Sequence, residues 1–476
     1  MTAILHFTRD LRLDDNAALA AAANGGRVVP VVILDTSTSA GLRRSSRRSA
    51  YYCGALAALE RAVARRGGKL IVRRGRTAPT LRALARAAGA DSVAWSASYD
   101  ANGTRSDRDV QASLEEAGLR VSVVHDAPAV TPEETAAERR GYRSFVPYFE
   151  RWLQTDVVPY DVQDAAFASV DVASEALPTP LELGGRSDLD VACDPQIVRE
   201  AFERYLESEI LHYAIARTMP ADGHTSQLGA ALSFGVIGAR SVVAAVRNRR
   251  NDRLLLTEER ISLGLYLRAL AQRDFFLQLA YFYEASDDAP LQEKMRRFQF
   301  SRTHPGLDAW RSGRTGYPIV DAGMRQLRAT GWMHPRVRSI AASFLCFDLG
   351  VDWRVGRDEW DRWLTEDEPA LATGNWQWIA GVGADMAAYP RIYNPRTQAR
   401  RCDPSGRYIR RWLPELASRS DRTLFEPDAE ARQAQLSLSL FGDAAYPAPV
   451  VDHDRAAHAF LERYKREISV ASERES

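Results

Sequence analysis

Two periods share the first third of the chain. Apolar residues crowd into short runs at Ala3–Phe7, Val28–Leu34, Lys69–Val72, Ser92–Trp95 and Arg120–Val124. Runs this short, bounded by polar or turn-forming residues, predict buried strands. Between them apolar positions recur three and four apart. The pattern is clearest over Ser49–Arg66 and Thr77–Ala88, and it predicts helices closed by glycine-containing turns. Strands alternating with helices imply an α/β domain with a doubly wound parallel sheet. No G-x-G-x-x-G follows a strand, so the ordinary dinucleotide fingerprint is absent.

The pattern breaks between Ala129 and Val191. Pro, Asp, Glu and Ser dominate Thr131–Glu134 and Ser174–Asp190, with one short helical stretch near Phe145–Leu153. This predicts a long connector draped over the surface. From Pro195 helical periodicity takes over, at Ile197–Ala216, Gly238–Asn248, Glu258–Tyr283, Pro318–Ala329, Pro335–Leu349 and Trp353–Leu364. A last amphipathic stretch covers Arg455–Ile468. The expected organisation is an α/β domain over 1–128, a connector over 129–194, an all-α domain over 195–433 and a tail over 434–476.

Composition excludes more than it selects. The net charge of +1 gives no global attraction to nucleic acid, so any such site must be a local basic patch. Cys53, Cys193, Cys346 and Cys402 are scattered and form no CxxC. That speaks against zinc ribbons and disulfide scaffolds, and for a reducing cytoplasm. The sequence opens on a strand-like segment, not a secretory leader, and no apolar run has bilayer length. The expectation is a cytoplasmic monomer without a metal centre.

Eight of the ten tryptophans lie between Trp310 and Trp412. Tryptophan stacks on planar ligands and relays single electrons, but large helical domains also bury it for area. Four segments carry further chemistry. Thr225-Ser226-Gln227-Leu228 places hydroxyls at a helix start, which suits a phosphate or a plain N-cap. Gly331-Trp332-Met333-His334-Pro335-Arg336 opens a helix that also carries Arg338. Asn375-Trp376-Gln377-Trp378 follows the acidic Glu366-Asp367-Glu368. Arg391-Ile392-Tyr393-Asn394-Pro395 begins a run dense in arginine that includes Arg396, Arg400, Arg401, Arg407, Arg410 and Arg411. Such a run suits a nucleic-acid backbone or a solvated, salt-bridged face.

These segments, with Phe7–Asn16 (FTRDLRLDDN) and Gly316–Ala322 (GYPIVDA), occur in the order and spacing of one family. Over residues 3–417 the chain resembles the photolyase/cryptochrome flavoproteins, nearest to the bacterial class I cyclobutane pyrimidine dimer photolyases. The resemblance implies FAD held by the helical domain, and it allows an antenna pigment of deazaflavin or folate type in the α/β domain. By similarity, FAD contacts fall on Tyr213, Thr225, Ser226, Gln227, Leu228, Tyr266, Arg273, Arg338, Glu366, Glu368 and Ala372. Trp332 carries over as an FAD contact too, and the resemblance implies catalytic roles for Trp332, His334 and Gln272. Trp376 is the implied electron donor to the flavin and Trp353 the next in line.

The departures from the family are equally specific. Gln227 replaces an arginine and Gly229 a serine. Ala269 and Gln272 stand where dimer photolyases offer Glu and Trp to the lesion. Pro335 and Ser339 replace Asn and Met. Glu366 and Glu368 replace paired aspartates, Ala372 replaces the Asn facing flavin N5, and Phe300 replaces the outermost tryptophan. A second histidine needed by (6-4) photolyases is missing at Pro335. The expectation is a diverged photolyase-like flavoenzyme of the carbon–carbon lyase class. Its rebuilt pocket would act on a non-standard, small-molecule substrate, with weak DNA contact through Arg391, Arg396, Arg400 and Arg401. The alternatives are a light-dependent DNA photolyase and a cryptochrome-like blue-light sensor.

Overall fold

The computed structural model describes residues 1–24, 26–136, 140–186, 192–283, 287–384, 390–425 and 446–473. Five strands form one parallel sheet in the order β3-β2-β1-β4-β5. They are β1 (Thr2–Phe7), β2 (Arg27–Leu34), β3 (Ile71–Arg74), β4 (Ser92–Ser96) and β5 (Arg120–Val124). β1 lies at the centre, with Ile4 opposite Val29 on one side and Val93 on the other. The inner strands are buried on both faces, which is why they read as unbroken apolar runs. Helices Ser46–Arg65, Thr77–Ala88 and Ala101–Glu115 complete the crossovers. Gly89 ends the second of these in the left-handed region at φ 61°.

By packing, the chain divides into two compact units. The first gathers residues 1–211, 226–287 and 364–371, and the second gathers 212–225, 288–363 and 372–476. In the first unit the connector does more than cover the sheet. Phe167 pairs with Val28 at the β2 edge, and Ala168 and Val172 join the sheet's apolar core. The helix Thr257–Phe282 belongs to this unit too. Its buried Asp274 accepts the backbone N–H groups of Ala129 (3.0 Å) and Val130 (3.2 Å) and the indole N–H of Trp152 (2.9 Å). Residues 137–139 and 187–191 of the expected connector lie outside the described residues.

Two expected helices differ in detail. Ile197–Ala216 is a helix over Pro195–Glu207, a tighter turn over Glu209–His212 and a short helix over Tyr213–Ala216. Ser208 leaves the helical region between the first two, at φ −134° and ψ −57°. Pro335–Leu349 is α-helical only to Ser343 and widens into a π-type turn over Phe344–Asp348. Every residue of that turn is buried, its last, Asp348, against His453 (2.5 Å), so no exposed position marks the change of period.

In the second unit, residues 446–453 run against the GYPIVDA segment. The Tyr446 hydroxyl donates to Asp321, and the Tyr317 hydroxyl donates to the Val451 carbonyl (2.9 Å). The backbone N–H of His453 donates back to the Tyr317 oxygen (3.1 Å). The helix His453–Glu473 then packs Phe460 and Tyr464 against Phe298, and Phe460 against Phe347. Residues 434–445 of the expected tail lie outside the described residues. Among the described residues, no helix is long and apolar enough to cross a membrane.

Candidate functional site

Charge is concentrated in the first unit around Glu366-Asp367-Glu368. Asp367 is held from two sides, by Arg9 (3.1 Å) and by the fully buried Arg48 (3.4 Å). Arg48 also donates to the Glu366 carbonyl (2.9 Å), and Ser233 Oγ accepts the Asp367 N–H (3.2 Å). Arg273 projects from the Thr257–Phe282 helix, donates to the Ala127 carbonyl (2.6 Å) and lies 3.8 Å from Glu368. Burial raises the Glu368 carboxyl above its usual range, against the pull of Arg9 and Arg273. Arg9 belongs to the opening FTRDLRLDDN motif, so that motif does more than mark the family. Its Arg12 is buried against Asp126 (2.8 Å). Burial and the neighbouring Asp126 push its Asp10 up to about 7.

The Thr225–Leu228 loop precedes the short helix Gly229–Ser233. Gln227 adopts φ 51°, a left-handed conformation uncommon for a residue with a side chain. The Tyr266 hydroxyl donates to Ser226 Oγ at 2.8 Å. Thr225 Oγ1 is buried without a hydrogen-bond partner in the protein. A carbon atom built on Gly229 would stand 2.4 Å from Glu366 Oε2. The longer carboxylate therefore occupies the space a serine side chain would need. Gly229 and Glu366 thus share one space.

The second unit holds the indoles. The ring of Trp376, on the helix Pro369–Ala380, lies where a side chain on Gly356 would stand, 2.2 Å from that position. Its ring centroid is 4.5 Å from that of Trp360, and Trp360 stacks on Trp310 at 6.3 Å. Trp353 is fully buried beneath the guanidinium groups of Arg354 (4.7 Å) and Arg357 (5.3 Å). Phe300 sits among Phe298 (4.9 Å) and Phe460 (6.0 Å).

His334 is buried with both ring nitrogens engaged. Nδ1 accepts the Arg336 N–H (3.2 Å), so Nε2 carries the proton toward the Ala216 carbonyl (3.1 Å). Burial lowers its pKa to about 4, which keeps the ring neutral. Arg338 donates to the Met333 carbonyl (2.8 Å), and Trp332 meets His334 edge-on at 6.0 Å. Tyr213 is partly buried at the start of its short helix, and Ala372 lies in the first turn of Pro369–Ala380. In the first unit Ala269 is exposed and Gln272 partly buried on the Thr257–Phe282 helix. The arginine run is mixed. Arg407 pairs with Asp222 and Arg410 with Asp421, while Arg391, Arg400 and Arg401 are exposed and Arg396 lies over Tyr317 (5.8 Å).

Comparison with known proteins bears on these same segments. Residues 3–166 match the DNA photolyase family model, and residues 266–466 match the FAD binding domain of DNA photolyase. The deoxyribodipyrimidine photo-lyase of Halobacterium salinarum is 35% identical, over 96% of this chain and 98% of its own. The chain belongs to the photolyase/cryptochrome family. A class III photolyase from Agrobacterium tumefaciens superposes with a TM-score of 0.85 at 29% identity, covering 98% of this chain and 97% of the other. An archaeal photolyase from Sulfolobus tokodaii, solved with two FAD molecules, gives 0.81 at 25% identity, covering 98% and 100%.

As a photolyase-family protein, the chain carries an FAD-binding domain, and its residues fit that group. The unpartnered Thr225 hydroxyl and the left-handed Gln227 form a loop with donors to spare. Arg273 and Glu368 supply a paired charge on the same unit. Arg9 and Arg48, which hold the acidic loop, escaped the sequence reading. Arg9 carried a signal, since it lies in the opening motif, whereas Arg48 is an ordinary helix arginine in sequence.

Proposed function

We propose that the protein is a light-dependent, FAD-containing DNA photolyase that splits pyrimidine dimers. The observation that carries this reading is the 35% identity to a deoxyribodipyrimidine photo-lyase across nearly the full length of both chains. The repurposed-enzyme expectation is set aside. It rested on Ala269, Gln272, Pro335, Ser339 and Ala372, whereas the identity to a photo-lyase extends over nearly the whole of both chains. Those departures then tune the lesion and flavin contacts of a repair enzyme.

In this reading bound FAD supplies the light-driven electron that opens the dimer. The protein binds and orients. Thr225, Ser226 and Gln227 give donors to the pyrophosphate, with Leu228 packing beside them and Tyr266 fixing the Ser226 hydroxyl. Arg273, Arg338 and Tyr213 position the cofactor, with Glu366 and Glu368 held by the arginines around them. Trp332 and Gln272 are the proposed contacts to the flipped nucleotide, and neutral His334, with both ring nitrogens engaged, lies edge-on beside Trp332. Arg391, Arg396, Arg400 and Arg401 contact phosphates, so binding should weaken steeply with salt. An antenna pigment, like the second chromophore named for the Sulfolobus protein, would occupy the α/β domain.

The test is a thymine-dimer oligonucleotide under blue light with the reduced holoprotein. Repair at catalytic protein concentrations supports the reading. Binding of FAD with no repair of any dimer isomer refutes it. The visible spectrum of the purified protein reports the flavin and any antenna band at the same time.

A further inference from the structure

Gly356 and the rings around it define a fork. On the helix Trp353–Asp361, Gly356 lies three residues after Trp353 and four before Trp360, so all three share one helix face. The edge of the Trp376 ring rests on Gly356, where any side chain would collide with it. Trp376 therefore meets a helix that presents one indole a turn earlier and another a turn later.

The two arms are unequal. Trp360 is in van der Waals contact with Trp376, at 4.5 Å between centroids, and Trp310 stacks on Trp360 at 6.3 Å with only 14° between planes. Trp353 instead carries two guanidinium groups against its ring. Their outer ends are paired, Arg354 with Asp352 (2.8 Å) and Arg357 with Asp288 (3.0 Å), yet the cations remain over the indole. A cation favours the neutral ring and opposes positive charge on it. Phe300, the residue implied to follow Trp353, is hard to oxidise. The indole N–H groups of Trp353 and Trp360 are both buried without an acceptor, so what separates the arms is the cations over Trp353 and the close ring contact of Trp360 with Trp376.

We propose that oxidation of Trp376 drains along Trp360 and Trp310 rather than along Trp353. This rests on the flavin reading above. When light-excited, oxidised FAD is bound, Trp376 would give up one electron to it. Trp360 refills Trp376, and Trp310 refills Trp360. Trp310 is itself fully buried, so an external thiol returns the electron across the residues that cover it, forming half a disulfide and releasing its proton.

The experiment uses FAD-loaded full-length protein and the variants W376F, W360F, W310F and W353F, with bound flavin checked by its spectrum. Two readouts are followed: bleaching of the flavin's blue band with thiol, and the lifetime of the indole radical after a laser flash. Trp360→Phe should slow bleaching about tenfold or more and shorten the radical lifetime, whereas Trp353→Phe should cost less than about threefold. Trp310→Phe should leave the first hop and shorten only the long-lived radical. Trp360→Tyr, which restores an oxidisable ring, should recover part of the rate. The proposal is overturned if Trp353→Phe is the slow variant and Trp360→Phe is within about threefold of the parent. It is overturned as well if Trp376→Phe bleaches at the parent rate. Normal hopping without dimer repair supports this proposal and sinks the repair reading.

Discussion

The acidic loop of the first unit and the indole row of the second solve opposite problems. Around Asp367, Glu368 and Asp274, each buried charge is met by named partners: Arg9, Arg48, Arg273, backbone N–H groups and an indole. Around Trp376 the contacts are ring on ring and tolerate changes of shape. In the first region one deletion leaves an orphaned charge or donor. In the second it leaves a packing adjustment and changes where an electron can go. Stability is therefore the sensitive readout for one region, and electron-transfer kinetics for the other.

The strongest challenge to that contrast is Asp274→Ala. Two backbone N–H groups and the Trp152 indole would lose their acceptor, and Arg273 its neighbour at 3.5 Å. Removing one member of such a buried set should cost about 3–5 kcal/mol in denaturant unfolding. A loss below about 1 kcal/mol would mean that the network is incidental. Asp274→Asn should fall between, because its amide oxygen still accepts.

His334 is one of the buried polar groups of the second unit, and its signature is a pH dependence. Its folded pKa, near 4, lies below the ordinary 6.5 because burial disfavours the cation. Above 6.5 neither folded nor unfolded protein is protonated there, so nothing changes. As pH falls from 6.5 toward 4, the unfolded chain takes up the proton first and stability drops. The full effect of that shift is about 3 kcal/mol. Comparing unfolding of the parent and His334→Gln at several pH values isolates it. Parallel curves would show that His334 is not buried neutral.

A smaller effect tests the coupled pair. Gly229→Ser alone should force Glu366 aside and weaken FAD binding about tenfold. Adding Glu366→Asp should restore most of it, a coupling of about 1 kcal/mol. Additive losses in an FAD titration would show that the two positions are independent. The smallest effect is expected from Phe300→Trp. If Trp353 is the disfavoured arm, a terminal indole there should change photoreduction by less than about threefold. Overpacking against Phe298 and Phe460 should cost about 1 kcal/mol. A large acceleration would make the Trp353 arm the working one and reverse the comparison within the second unit.

What sequence could and could not reveal follows from the range of the interactions. The inner strands were legible because burial on both faces writes them as apolar runs, and the partly exposed edge strands β3 and β5 were legible as shorter apolar runs between helical stretches. The helix at Pro318 was legible from its first-turn proline and from Gly331 at its end. The widening at Phe344–Asp348 was not, because the stretch is buried all round and its single polar residue, Asp348, is buried against His453. Most of the proposed cofactor residues could be named from motifs. The support they stand on could not: Arg48 meets Asp367, and Glu366 fills the space beside Gly229, across long stretches of chain. Trp360 looked like one more buried aromatic in a helix. Only the missing side chain at Gly356 shows that another ring lies against that face.

The run of residues 446–453 has a consequence for how the protein is made. Asp321 receives the Tyr446 hydroxyl from 125 positions downstream, and Tyr317 exchanges hydrogen bonds with Val451 and His453 from 134 and 136 positions away. On the ribosome, Asp321 and the Tyr317 hydroxyl emerge long before these partners exist. The second unit cannot close around them during most of its synthesis, and its helices must wait with that surface open. Contacts of such long sequence separation form slowly, and open intermediates are exposed to aggregation. Expression yield and refolding speed should therefore depend on an intact stretch from Tyr446 to Tyr464, far from any flavin contact in sequence.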